Sequence, residues 1–221
     1  MSGGVIFDMD GVLVDSASAH LESWILLGKK HGIPVPHDVF HGSFGRSGRD
    51  IIRFLWGDDV KEEEIHDRVA EKEALYRRLI RGKAPLMNGV RDVVHDLHGA
   101  GYLLAVGTSG PRENVELILG EAGIAGCFAT TVNGFDVEHG KPAPDIFLKA
   151  AERLGLEPGQ CLVVEDAPVG VQASVAAGIR AVGLAGMHSE KALRDSGASQ
   201  VVNRLTAVTP DLVAALLQSE E

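Results

Sequence analysis

Two aspartates that directly follow a short apolar segment constrain this chain more than any other feature. Val5, Ile6 and Phe7 are β-branched or aromatic, which is typical of a buried strand, and Asp8 and Asp10 come next. Side chains two residues apart in an extended chain point the same way, so both carboxylates are predicted to project from the strand's carboxyl end. Open α/β sheets bind ligands at that end. Taken alone, a strand running into an acidic turn explains the pattern equally well.

The composition is typical of a soluble globular protein. The chain has 221 residues, 45% hydrophobic and 24% charged, which suffices for one large domain or one domain with a small insert. No apolar stretch reaches the ~20 residues that span a bilayer, and no secretory leader is visible. Cys127 and Cys161 are far apart, which favours reduced thiols in a cytoplasmic protein. The net charge of −10 argues against nucleic acid or an anionic membrane as the main partner.

The periodicity of apolar residues divides the chain into a core and an insert. Positions 17–81 have helical patterns without a clear strand, and a Gly–Pro linker follows at 82–85. Beyond it, predicted helices and strands alternate, which favours a Rossmann-like α/β fold with a parallel sheet and helices on both faces. We therefore expect residues 1–15 and 83–221 to form the core and residues 16–82 to form an inserted all-α cap.

Four of the predicted strands end next to polar residues. These strands cover 5–7, 102–106, 129–132 and 161–164. The polar residues beyond them are Asp8, Asp10, Thr108, Ser109, Lys141, Glu165 and Asp166, with a helix predicted over 142–154 directly after Lys141. In a parallel sheet these ends share one edge. Like charges ~4 Å apart cost on the order of 4 kcal/mol per pair, so the carboxylates need a hard divalent cation, and oxygen ligands favour Mg²⁺.

A hydroxyl and a lysine complete this constellation. Thr108 offers an oxygen beside a predicted helix start, where backbone N–H groups attract anions, and Lys141 offers a positive charge. Carboxylates, Mg²⁺, a hydroxyl and a lysine at one edge predict a site for phosphoryl transfer.

The four motifs together resemble the haloacid dehalogenase superfamily. In chain order they are residues 8–16 (DMDGVLVDS), Thr108, residues 141–145 (KPAPD) and residues 165–170 (EDAPVG). The resemblance covers nearly the whole chain. The helical insert after the first motif is similar to the cap of the branch that contains β-phosphoglucomutase and phosphoglycolate phosphatase.

The resemblance implies a role for each matched residue. Asp8 is implied as the nucleophile that forms an aspartyl-phosphate, and Asp10 as the general acid and then base. Mg²⁺ is implied to bind the Asp8 carboxylate, the Asp10 backbone carbonyl and Asp166, with Glu165 as a ligand or as the residue that orients its waters. The residues implied to bind phosphate are Thr108, Ser109 and Lys141.

The expected function is Mg²⁺-dependent hydrolysis of a small phosphorylated metabolite, such as a sugar phosphate. A β-phosphoglucomutase-type mutase is the alternative, but Gly110 and Pro111 stand near the place where the mutase pattern has a serine and a lysine, and only Arg112 could substitute there. An inactive binding protein is a further alternative, against which the presence of Asp8 and Asp10 argues. Aspartate at position 10 also favours phosphate chemistry over dehalogenation. A monomer is expected, with a dimer as the alternative.

Four residues of the insert are candidates for substrate contact. His20 and Trp24 lie one turn apart on the first predicted helix, as a histidine and a tryptophan do in that branch. Arg46 and Arg49 lie in or just after a glycine-rich turn. The alternatives are a half-buried histidine beside a core tryptophan, and two solvated arginines.

The other histidines predict no zinc site. His31, His37 and His41 lack both a tight spacing and a cysteine partner. His95 and His98 share one face of the helix predicted over 90–98 and are predicted to be surface residues.

Overall fold

The computed structural model describes residues 3–35 and 48–218, so Arg46, His37 and His41 lie outside the described residues. The chain divides into two compact units. The sheet unit comprises Met1–Asp15 with Pro85–Glu221, and the helical unit comprises Ser16–Ala84.

The sheet unit contains a six-stranded sheet in the order β3-β2-β1-β4-β5-β6. The strands are β1 (Gly4–Phe7), β2 (Leu103–Gly107), β3 (Phe128–Val132), β4 (Cys161–Glu165), β5 (Arg180–Leu184) and β6 (Gln200–Val202). All neighbouring strands pair in parallel. The predicted α/β class is therefore confirmed. Parallel sheets are covered on both faces, which explains why every residue of β1 and β4 is buried and why only Glu165, at the end of β4, is polar.

The register of the central strands determines which side chains meet at the carboxyl edge. Phe7, the last residue of β1, pairs with Val106 of β2 and Val164 of β4. The N–H of Asp8 still donates to the Val164 carbonyl at 2.9 Å. Asp8 therefore leaves the sheet level with Glu165, the last residue of β4.

The helical unit contains α1 (Ala17–His31), α2 (Gly48–Trp56) and α3 (Glu62–Ile80). An apolar core joins them, with Trp24 and Leu27 from α1, Ile52 from α2 and Ile65 from α3. On α3 the buried face continues through Lys72, Tyr76 and Ile80, so a charged residue occupies a core-facing position.

Six further α-helices belong to the sheet unit among the described residues. They are α4 (Val90–Gly99), α5 (Arg112–Ala122), α6 (Asp145–Leu154), α7 (Pro168–Ala176), α8 (Glu190–Asp195) and α9 (Pro210–Gln218). The helix predicted from residue 142 begins only at Asp145, because Pro144 disfavours helical backbone at the preceding residue. Helix α8 was not predicted, because six residues are too few to show a clear helical periodicity of apolar side chains. No helix of the described ranges is long and apolar enough to cross a membrane.

Asp15 and Pro85, the two residues between which the helical unit interrupts the sheet unit, lie side by side. The Asp15 N–H donates to the Pro85 carbonyl at 2.7 Å, and the Met87 N–H donates to the Leu13 carbonyl at 3.0 Å. The chain therefore leaves and re-enters the sheet unit at adjacent points, which is what an insertion requires. The assignment of the helical unit as a cap stays a prediction.

Candidate active site

Three buried carboxylates, from Asp8, Glu165 and Asp166, converge where β1 and β4 end; we call them the acid cluster. One oxygen from each lies within 4.8 Å of the others. The exposed fractions of these residues are 7%, 1% and 5%, respectively. Oxygen atoms this close and this poorly solvated repel one another, so they require a cation or a proton among them.

Lys141 supplies one positive charge to the acid cluster. It lies between β3 and α6, and its Nζ donates to Asp8 Oδ1 at 2.6 Å and to Glu165 Oε1 at 2.7 Å. Its side chain is 5% exposed. Three carboxylates thus face one ammonium group. When all four groups are charged, the acid cluster and Lys141 together carry a net charge of −2.

The pKa values of Asp8, Asp166 and Lys141 are shifted by burial and by this excess of negative charge. Burial raises the pKa of Asp8 from 3.8 to about 7; Glu165 and Asp10 add to the rise, and Lys141 opposes it. Burial, followed by the charges of Glu165 and Asp8, also raises the pKa of Asp166 well above its ordinary value. Burial alone would lower the pKa of Lys141, but Asp8 and Glu165 outweigh it and leave that pKa raised. Lys141 is therefore charged, while the carboxylates lack sufficient positive charge.

Two glycines leave room for the acid cluster. Gly11 has a positive φ of 78°, and a Cβ there would overlap the Asp166 carboxylate. A Cβ at Gly170, in α7, would overlap the Glu165 carboxylate. The Ala167 N–H donates to Glu165 Oε2 at 2.8 Å and fixes its orientation. Both glycines lie within the motifs seen in the sequence, but only the packing reveals what they accommodate.

Asp10 is not one of the three converging carboxylates. The chain turns sharply after Met9, whose carbonyl accepts the N–H groups of Leu13 at 2.8 Å and Val14 at 3.2 Å. Asp10 is half-buried, and its charge still raises the pKa values of Asp8 and Asp166. The extended geometry assumed for residues 8–10 therefore holds only as far as Asp8.

The predicted phosphate-binding residues after β2 differ in burial. Thr108 is 1% exposed, its N–H donates to the Val132 carbonyl at 3.0 Å, and its Oγ1 accepts the Gly110 N–H at 3.1 Å. Ser109 is exposed. Because β2 neighbours β1, Thr108 lies on the same sheet edge as Asp8.

Two predicted substrate contacts, the half-buried His20 and the buried Trp24, belong to one cluster within the helical unit. We call His20, Trp24, Lys72 and Tyr76 the lysine–aromatic cluster. His20 stacks on the Tyr76 ring at 3.9 Å between centroids, and its Nδ1 lies 2.6 Å from Lys72 Nζ. Lys72 Nζ lies 5.3 Å from the Trp24 ring centroid. Lys72 was not among the predicted site residues, although its spacing of seven from Ile65 places both on one helix face.

Arg49 takes part in an ion pair on the surface of the helical unit. Its guanidinium pairs with Glu62 on α3, to which Arg53 also donates. His95 and His98 are exposed on α4, as predicted.

The family model described as "Hydrolase: haloacid dehalogenase-like hydrolase" matches residues 3–178 of this chain. That span includes the acid cluster, Thr108 and Lys141.

Curated relatives cover most of the chain. The validoxylamine A 7'-phosphate phosphatase of Streptomyces hygroscopicus subsp. limoneus is 32% identical over 194 residues, 86% of this chain and 89% of the relative. The fructose-1-phosphate phosphatase YqaB of Escherichia coli K12 is 34% identical over 180 residues, 81% and 94% of the two chains. The β-phosphoglucomutase of Bacillus subtilis 168 is 30% identical over 223 residues, 98% and 94% of the two chains.

A solved structure agrees with the fold over its full length. The crystal structure of a HAD hydrolase, family IA, variant 3, from Entamoeba histolytica HM-1:IMSS has a TM-score of 0.88 and 26% identity. It covers 99% of this chain and 100% of that chain.

Proposed function

This chain belongs to the haloacid dehalogenase-like hydrolase family and is a phosphatase, and we propose that it hydrolyses small sugar phosphates with Mg²⁺ through an aspartyl-phosphate. The observation that carries the proposal is the acid cluster held against Lys141. A buried group with surplus negative charge and one lysine fits a metal-assisted phosphoryl transfer better than a structural ion pair, which would balance its charges.

The donor set fits Mg²⁺. All three groups offer carboxylate oxygen, the ligand type that hard divalent cations prefer. One Mg²⁺ would neutralise the two excess negative charges that the acid cluster carries beside Lys141. Asp8, Asp166 and the Asp10 carbonyl would hold it, with Glu165 as a ligand or as the residue that orients its waters. When bound, Mg²⁺ supplies charge stabilisation for the transferring phosphoryl group.

The first chemical step uses Asp8 as the nucleophile. An Asp8 oxygen attacks phosphorus, an O–P bond forms, and the bond from phosphorus to the leaving oxygen breaks as Asp10 donates a proton to that oxygen. Lys141 Nζ, 2.6 Å from Asp8 Oδ1, is placed to favour the ionised nucleophile and to bind the phosphoryl oxygens. Thr108 would bind the same phosphoryl group from the neighbouring strand.

The second step reverses these roles. A water attacks phosphorus, its proton passes to Asp10, and the bond between phosphorus and the Asp8 oxygen breaks. Inorganic phosphate and the free carboxylate are the products, and the enzyme returns to its starting state. Asp10 is half-buried, so both a leaving group and a water can reach it.

Mutase activity is the second candidate function. One relative, 30% identical over nearly the whole chain, is named a β-phosphoglucomutase. Gly110 and Pro111 offer no side-chain group for a second phosphate, and this argues for water as the acceptor. The roles of His20, Trp24 and Arg49 in substrate contact, the monomeric state and the cytoplasmic location stay predictions.

An assay of phosphate release from a panel of sugar phosphates tests the proposal. We expect Mg²⁺-dependent release that is lost with a chelator and restored by Mg²⁺. Asp8→Asn should reduce the turnover by about 10⁴-fold or more, as loss of a catalytic nucleophile does. The matched control is Asp92→Asn, on the exposed face of α4, which should keep full activity. Activity in Asp8→Asn would refute the mechanism, and glucose 6-phosphate formed from glucose 1-phosphate without free phosphate would indicate the mutase.

A further inference from the structure

The turn that follows β3 carries an exposed aromatic ring at the carboxyl edge of the sheet. Phe135 is 70% exposed, which makes it the most exposed large apolar side chain among the described residues. It lies three residues beyond Val132, the last residue of β3. A single exposed apolar residue is ordinary, but this one lies at the edge where open α/β sheets bind ligands, and the proposed phosphatase mechanism does not use it.

Hydrogen bonds to one asparagine fix the backbone of this turn. Asn133 is 8% exposed, and its Oδ1 accepts the Phe135 N–H at 2.9 Å. Its Nδ2 donates to Asp136 Oδ2 at 2.7 Å, and its carbonyl accepts the Asp136 N–H at 3.0 Å. Two residues of α6, Lys149 and Arg153, donate to the carbonyl and the carboxylate of Asp136, at 2.7 Å and 3.2 Å. The backbone that carries the exposed ring is therefore held on both sides of it.

The same turn packs directly on the predicted phosphate-binding residues after β2. The Gly134 N–H donates to the Gly110 carbonyl at 3.3 Å. A Cβ at Gly134 would lie 2.4 Å from the Ser109 carbonyl oxygen, so this close approach of two backbone segments requires glycine. Phe135, the next residue, is therefore attached to the segment that contains Thr108 and Ser109.

The spacing of the strands sets the distance between this turn and the nucleophile. Neighbouring strands lie about 4.8 Å apart, and β3 is the second strand from β1, so the backbone at the end of β3 lies about 10 Å from that of Asp8. A hexose ring attached to the reacting phosphate and a phenylalanine side chain together span such a distance. The exposed ring of Phe135 is therefore within reach of the part of a substrate that does not react.

We propose that Phe135 determines specificity for cyclic sugar phosphates by stacking on the C–H face of the sugar ring, an inference that rests on the proposed function. A sugar ring has apolar C–H groups on its faces and hydroxyls at its rim, so an aromatic side chain binds the face without a hydrogen bond. Arg112, which follows the same segment after β2, is already paired with Glu116 at 2.7 Å. Because the turn is fixed before the substrate binds, little conformational freedom is lost on binding.

Steady-state kinetics with a cyclic and an acyclic substrate test the proposal. Glucose 6-phosphate presents a sugar ring, and glycerol 3-phosphate presents none. We expect Phe135→Ala to raise the KM for glucose 6-phosphate about three- to tenfold, the effect of losing one aromatic contact, with kcat changed less than about twofold. The KM for glycerol 3-phosphate should change less than about twofold, and Phe135→Tyr should keep the KM of the wild type for glucose 6-phosphate. Leu103→Ala is the matched control, because it removes an exposed apolar side chain at the amino end of β2, and it should change neither KM.

Calorimetry with the Asp8→Asn protein and Mg²⁺ separates this inference from the proposed function, because it measures binding without turnover. We expect Asp8→Asn to bind glucose 6-phosphate more tightly than glycerol 3-phosphate, and Phe135→Ala in that background to weaken the binding of glucose 6-phosphate alone. Unchanged affinity for glucose 6-phosphate would overturn the proposal. An equal loss for both substrates would also overturn it, since the turn would then act only by positioning the phosphate-binding residues. A wild-type protein that releases no phosphate but binds glucose 6-phosphate through Phe135 would refute the hydrolysis and still support the stacking contact.

Discussion

Lys141 of the sheet unit and Lys72 of the helical unit are both buried and both lie over aromatic rings, but they differ in the number of carboxylates around them. Their side chains are only 5% and 4% exposed. Lys141 contacts two carboxylates, with a third close by. Lys72 contacts the Glu73 carboxylate at 2.9 Å and the His20 imidazole, and lies over two aromatic rings.

This difference separates a reactive arrangement from a structural one. Lys72 pairs with one carboxylate, that of Glu73, and adds cation–π contacts, so the charges of this ion pair are balanced. The acid cluster retains an excess of negative charge, which costs free energy until a cation binds. Of the two clusters, we therefore expect only the acid cluster to respond strongly to Mg²⁺ and to pH.

The largest expected effect is on the pH dependence of stability without metal. The pKa of Asp8 is about 7 in the folded protein, against 3.8 ordinarily. Between these pH values the folded state keeps a proton that the unfolded state has lost. The free energy of unfolding should therefore decrease by about 4 kcal/mol as pH rises from 4 to 7. Urea unfolding across this range measures it.

Mg²⁺ and a neutral variant provide the controls for this prediction. Saturating Mg²⁺ should restore most of the stability lost at neutral pH, because it binds the ionised carboxylates. Asp8→Asn should lack the contribution from this residue in metal-free buffer. An equal pH dependence in Asp8→Asn and in the wild type would contradict the assignment of the shift to Asp8.

The next effect is the loss of the Lys141 charge. Lys141→Met keeps the length of the side chain but leaves Asp8 and Glu165 without their ammonium partner. We expect kcat to fall by about 10² to 10³-fold, the usual cost of removing one electrostatic contact to a transition state. The rate of phosphate release with saturating Mg²⁺ measures it.

Lys191→Met is the matched control for that variant. Lys191 forms an exposed pair with Asp195, at 2.6 Å and with an 83% exposed side chain, so its loss should leave kcat unchanged. A Lys141→Met enzyme with wild-type turnover would remove Lys141 from the mechanism.

The smallest effect concerns the lysine–aromatic cluster. Lys72→Met removes the cation–π contacts and leaves Glu73 without this partner, so the free energy of unfolding should fall by about 1–2 kcal/mol. Because the charges of the Lys72–Glu73 pair are balanced without a metal, the loss should be equal with and without Mg²⁺. Thermal unfolding under both conditions measures it.

Lys30→Met, on an exposed pair with Glu71, should change stability by less than about 0.5 kcal/mol. A loss in Lys72→Met that disappears with Mg²⁺ would contradict the comparison.

Local patterns were sufficient to predict the strands and most helices. A short apolar segment such as residues 5–7 indicates a buried strand because every side chain in it avoids water. Alternation of such segments with helical periods then implies a parallel sheet, and parallel strands bring their carboxyl ends to one edge. The convergence of Asp8, Glu165 and Asp166 followed from that topology before any distance was known.

Tertiary packing alone decided how these groups are charged and which polar residues are buried. No local pattern reports that Lys141 reaches a carboxylate 133 positions away, or that Gly11 and Gly170 leave space for two others. Helical periodicity places Lys72 on the same face as Ile65, but it does not show that rings from another helix bury the ammonium group. Hydrophobic periodicity is a property of neighbours along the chain. Desolvation and charge coupling depend on neighbours in space. The sequence therefore determined which residues meet at the carboxyl edge of the sheet, and only the tertiary structure determined their burial and their pKa values.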